Sequence, residues 1–321
     1  MRNNRFQNHI SESSITLPLC MVIGTLVWFW NGKKQAFDYT LSGVAALSLG
    51  ILTTYVVMET ANIFALLRIR SRMIATVWVV GISLMSFTHV FSDGWIAALA
   101  MAGSHYAMFL TYQQHQPVVH IFHSFLLLSI ASLAIPQLLI LVPLYYWYLL
   151  VFLRALTWRG FWAGIVGMVL PMCFVLGWSI LCDDFNFLFS WINELITTDI
   201  FVAEDYAWML TYQNTETLVF ALVSLLSLVG IVHYLRNYYN DKIRTRMYLY
   251  IYVIQTVVCW LMILLSPDLY HHLAPVLMLG ASTMIAHFFA QTRSIVSNLF
   301  FCLTLLIILA LFTLNLGIWN F

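Results

Sequence analysis

The chain has 321 residues, 62% of them apolar and only 8% Asp, Glu, Lys or Arg, where an ordinary soluble domain carries roughly 25% charge. A water-soluble fold is excluded, and a net charge of +1 excludes nucleic-acid binding, which relies on clustered Lys and Arg to neutralise phosphates. With about 20 apolar residues needed per crossing, the expectation is an all-α, polytopic transmembrane helical bundle, residues 1–321 forming a single integral-membrane domain.

In chain order the apolar segments fall at 15–31, 39–58, 73–91, 94–112, 119–134, 137–153, 161–181, 216–235, 247–266, 270–290 and 297–320, about 11 helices by length and hydropathy. Arg2 and Arg5 precede the first segment as in a secretory signal. No small-residue cleavage site follows it, so it reads as an uncleaved span. In the second segment Ser42, Ala46 and Gly50 repeat at four-residue spacing, and Ala97, Ala98, Ala100, Ala102, Gly103 and Ser104 crowd the fourth, both as expected of close helix packing. Between the second and third segments, Glu59–Arg70 mixes apolar and basic positions as an interfacial helix would. The stretch 119–152 is too long for one crossing. Ile135-Pro136-Gln137 divides it into two short helices, since proline damages a helix interior. Irregular backbone at membrane depth survives only where protein or a water-filled cavity shields it. Residues 182–215 form an outer-face loop, in which Phe185, Phe187, Leu188, Trp191, Ile192 and Leu195 repeat at near-helical spacing, as an interfacial helix requires.

Charge sets the orientation. With the N-terminus cytoplasmic and the C-terminus outside, every Lys and Arg falls inside except Lys33 and Lys34, as the positive-inside rule asks. Most carboxylates, Asp38, Asp93, Asp183, Asp184, Glu194, Glu216 and Asp268 among them, then gather outside. The reading places the chain in a plasma (inner) membrane.

Three outer constellations could carry chemistry. His89 and Asp93 stand at i and i+4, one helical face if the helix persists, and suit a divalent metal ion. Ser266-Pro267-Asp268-Leu269-Tyr270-His271-His272 places a carboxylate beside two imidazoles. Asp183-Asp184 is the third, and Asp38 in the first outer loop could join any of them as a general base. Polar residues capping spans beside water are the plainer reading of each taken singly. On the inner side, His115, His120 and His123 surround Pro117 and read as a polar turn. His105, His233 and His287 are ionisable groups within apolar segments, which by default raises a functional question. No regular acid-histidine ladder links them in sequence. The five cysteines have no metal-type spacing.

Phe122-His123-Ser124 through Ala131-Ser132-Leu133-Ala134-Ile135-Pro136, followed by Leu141-Val142-Pro143 and Arg154, resembles the two short helices midway through GT-C glycosyltransferases, which often carry a GLA-x-L-x-x-P stretch there. Trp158-Arg159-Gly160-Phe161 through Gly167, Leu170 and Pro171 is similar to the GT-C span that follows. Tyr270-His271-His272-Leu273-Ala274-Pro275 resembles a late GT-C helix. The chain is also similar to an uncharacterised family of inner-membrane proteins from Bacteroidota. The resemblance implies a polyprenyl-phosphate sugar donor entering from the membrane and transfer on the outer face. Asp38 would be the catalytic base, with Lys33, Lys34, His271 and His272 binding substrate and His89 and Asp93 holding a metal. Only Asp38 occupies the first outer loop, where the family commonly has an acidic pair. A non-catalytic relative, binding lipid or serving as a scaffold subunit of an envelope assembly, is therefore the second reading. A transporter would want paired inverted repeats and broken helices in both halves, whereas one broken region is found.

Overall fold

A computed structural model describes residues 5–32, 40–69, 71–196, 206 and 215–315. Among them the chain is helical throughout, with no strand. The helices are α1 (Phe6–Glu12), α2 (Thr16–Gly32), α3 (Thr40–Ile63), α4 (Met73–Leu84), α5 (Asp93–Phe109), α6 (Val118–Ala134), α7 (Leu141–Trp147), α8 (Trp158–Cys182), α9 (Asn186–Ile196), α10 (Thr215–Asn237), α11 (Ile243–Leu265), α12 (Tyr270–Gln291) and α13 (Ile295–Asn315). Six helices (α3, α8, α10, α11, α12 and α13) are long and apolar enough to cross a membrane, and α1 with α2, bent by 88°, makes a seventh if the pair is one span. The chain divides into two compact units, one of residues 1–92, 203–261 and 277–321, the other of residues 93–202 and 262–276.

In the first unit α2 and α3 pack on α4, and α13 packs on α4, α10 and α1. The residues of α12 in this unit, from Leu277 onward, are buried almost without break. Its neighbours approach to backbone contact. A Cβ on Gly230 would stand 2.5 Å from the Met284 carbonyl oxygen, and one on Gly280 would stand 2.9 Å from the Tyr252 carbonyl oxygen. Close approach of this kind replaces the hydrophobic effect as the source of helix association in lipid. Buried hydroxyls are satisfied within their own helices: Thr53 donates to Leu49, Thr60 to Val56, Ser83 to Val79 and Thr256 to Tyr252. That is the accounting an apolar solvent imposes.

One end of this unit collects the turns. Gln7 of α1 donates to the carbonyl of Phe289 and to the Thr292 hydroxyl, while its backbone N–H donates to Asn298. Ser71 donates to the Ser11 carbonyl, and Thr245 donates to the Ala65 carbonyl. Arg5, Arg68, Arg72, Arg236, Lys242, Arg244, Arg246 and Arg293 all lie on or beside these turns. The segment Glu59–Arg70 is not a separate interfacial helix. Glu59–Ile63 finishes α3, Ala65 turns in the left-handed region with φ 48°, and Phe64, Leu66 and Leu67 are buried. Phe64, Leu66 and Leu67 face protein, so their spacing serves packing.

In the second unit α6 packs against α5 and α8. Ser104 and Ser124 exchange hydrogen bonds, each hydroxyl donating to the other's carbonyl at 2.7 and 3.1 Å. The small residues of α5, Ala97, Ala98, Ala100 and Ala102, are buried, as their spacing asks. Gly160, Gly164 and Gly167 bury one stripe of α8, while Phe174, Trp178 and Leu181 on the same helix stand out. The break at Pro136 is present. Ile135 is extended at φ −135°, ψ 97°, Pro136 opens a 3-10 turn through Ile140, and α7 closes in a single π turn at Tyr148–Phe152. Proline drives the residue before it out of the α region and cannot donate to the preceding turn. Beyond α8, the amphipathic α9 lies beside the Pro136–Ile140 turn, its Trp191 indole donating to the Ser132 carbonyl at 2.9 Å. A helix, Asn186–Ile196, thus lies within residues 182–215.

Candidate functional site

Asp38, Lys33 and Lys34 lie outside the described residues. His89, in the first unit, is buried, its ring against Trp28 at 4.5 Å between centroids and its Nε2 3.3 Å from the Ser83 carbonyl oxygen. Asp93 begins α5 in the second unit and is exposed. His271 and His272 are exposed at the start of α12, also in the second unit. Gly94 meets this segment, where a Cβ would stand 2.5 Å from the His272 carbonyl oxygen. The structure thus brings the residue after Asp93 against His272. Among the described residues no group of three or more His, Cys, Asp or Glu is placed to hold a metal.

The ionisable cluster that does form was not singled out in the sequence. Asp241, in the turn between α10 and α11, has a side chain only 1% exposed. Arg68 Nε donates to its Oδ1 at 2.6 Å, and His287 Nε2 lies 3.3 Å from its Oδ2. Burial alone would raise the Asp241 carboxyl. The hydrogen bonds from His287 and Arg68 outweigh it and hold the group down at about 2. The backbone of the same turn is tied as well: Arg246 Nε donates to the Asp241 carbonyl at 2.8 Å, and Tyr234 donates to the Arg246 carbonyl at 3.0 Å. His233 lies 6.3 Å from His287 between ring centroids, and the Nδ1 atoms of both rings are buried without a hydrogen-bond partner. Chemically the triad is a clamp joining the α3–α4 turn, the α10–α11 turn and α12. Its one signal in the sequence was an acid set among Arg236, Lys242, Arg244 and Arg246.

Two hollows open in the first unit. One is a crevice of about 410 Å³ between α1, α2, α4, α10, α12 and α13, within the range of roughly 300–1,000 Å³ typical of ligand pockets. Leu19, Val80, Gly81, Leu226, Met278 and Phe301 are among its walls. Its threonine hydroxyls are committed, Thr16 donating to the Ile10 carbonyl, Thr76 to Arg72 and Thr304 to Phe301, while Ser13 accepts from the Ile15 N–H. The second hollow, of about 550 Å³, sits one to two turns nearer the basic end on α10, α12 and α13, and includes His233, Arg293 and Ser294.

Long apolar helices, internally satisfied hydroxyls and large apolar side chains left exposed on α3, α8 and α13 define the class: a multi-pass helical membrane protein. No protein-family model, no curated protein and no solved structure matches the chain.

Proposed function

We propose that the chain is a GT-C-like protein of the inner membrane, crossing it about eleven times with the N-terminus cytoplasmic, and that it binds a membrane lipid whose hydrocarbon chain lies in the crevice of the first unit. The observation that carries this is the crevice lining. It is apolar, and each threonine in it donates its hydroxyl hydrogen to a backbone carbonyl. A ligand there gains by burying apolar surface, at roughly 25 cal/mol per Å², and meets no charged side chain to orient it. A hydrocarbon chain fits that description. Exposed Leu19 and Leu305 at the rim give it a route from the surrounding lipid. The turns of the first unit support this orientation, because the basic residues share one end there, as the positive-inside rule expects of a cytoplasmic face.

The test is filling the space. Val80→Trp puts an indole into the crevice, and native mass spectrometry of the detergent-solubilised chain is expected to show lost lipid adducts. Unchanged adducts with the fold intact would count against the proposal.

The broken pair at Pro136 favours a second reading, in which the lipid is a polyprenyl-phosphate sugar and the protein transfers the sugar on the outer face. Asp38 then takes the acceptor proton, and Lys33 and Lys34 of the same loop receive the phosphate. Asp38→Asn is expected to abolish sugar transfer from a polyprenyl-phosphate donor in reconstituted vesicles. Full activity would rule out Asp38 as base.

A further inference from the structure

We infer that the hollow at the turn between α12 and α13 is a binding site for a phosphate group, with Arg293 as its cation. Three features carry this, and none depends on the crevice. The space, about 550 Å³, is bounded by His233, Thr292, Arg293, Ser294 and Ser297 together with apolar side chains. Among the described residues Arg293 makes no ion pair or hydrogen bond, so its guanidinium keeps the full donor set that suits a phosphate.

The polar side chains around it divide clearly. Thr292 donates to the Phe288 carbonyl and Ser297 donates to the Ser294 carbonyl, so those hydroxyl hydrogens are committed. Ser294 only accepts, from the Ser297 N–H at 3.0 Å, which leaves its hydroxyl hydrogen free to donate. His233 brings a ring whose buried Nδ1 has no partner. The free capacity in this hollow is therefore a guanidinium, a hydroxyl donor and an imidazole, arranged where α13 begins and its first N–H groups favour negative charge. Asp241, the carboxylate of the neighbouring cluster, is already paired with Arg68 and His287 and makes no ion pair with Arg293. The crevice holds no Lys, Arg or His side chain, whereas this hollow includes Arg293 and His233, which separates a site for charge from a site for a chain.

Phosphate could come from a phospholipid headgroup or from solution, and the experiment separates the two. The full-length chain in detergent micelles is titrated with phosphatidylglycerol or phosphatidylcholine and read by native mass spectrometry, and with inorganic phosphate against chloride at equal ionic strength and read by melting temperature. Arg293→Gln is expected to weaken the phosphate-dependent response about tenfold, the effect of losing one charged hydrogen-bonding partner. Arg293→Lys keeps part of it. Arg236→Gln, which removes an exposed charge outside the hollow, leaves it unchanged. A response to inorganic phosphate assigns the site to free phosphate. A response to phosphatidylglycerol alone assigns it to a headgroup. Equal response of the parental chain and Arg293→Gln, or equal loss in Arg236→Gln, overturns the site. Val80→Trp should leave the phosphate response intact, so the two proposals fail separately.

Discussion

Arg68 reaches Asp241 across 173 positions of sequence, and His287 reaches it across 46. Neither partner could be read from spacing, because each stands on a different element. What the sequence offered was weaker: His287 as an ionisable group in an apolar span, and an acid on the basic side of the chain. Breaking a buried pair leaves an uncompensated charge and costs about 3 kcal/mol or more. Arg68→Met is therefore expected to destabilise the protein by that order, read as a drop in thermal stability in detergent. The pH dependence has a definite sign. Asp241 is held at about 2 against an ordinary value of 3.8, so the unfolded chain takes up the proton first. Its contribution is complete above about 3.8 and fades as pH falls toward about 2. In Asp241→Asn that acid-side component should be missing from a stability profile measured over the same window.

At the scale of elements, Gly230 and Gly280 set how closely α10 and α11 approach α12. Gly230→Leu drives a side chain toward the Met284 carbonyl, where even a Cβ would sit at 2.5 Å. Overpacking of this kind costs about 1–3 kcal/mol, and the variant should lose thermal stability while an exposed change such as Leu225→Ala on the same helix should not. The break at Pro136 was legible because proline acts on its immediate neighbours. The end of α3 was not: Glu59–Arg70 has the pattern of a surface helix, yet Ala65 turns the chain and buries Phe64, Leu66 and Leu67. Alternation of apolar and basic residues reports that one side is dry, and does not say whether lipid or protein makes it dry.

Over the whole molecule, hydropathy was enough to read an all-helical, multi-pass protein, because an apolar solvent demands long helices with satisfied backbones. The division into two units, drawn from non-contiguous segments, was not legible, since it depends on which small-residue faces meet. Nor was the crevice, whose walls come from six helices spread over most of the chain. The account turns on what occupies that space. A density map of the full-length chain in lipid nanodiscs tests it most directly. Elongated density between α2 and α13, running past Gly81 and Thr304, is the predicted result, and a crevice closed by the packing of α2 against α13 would contradict it.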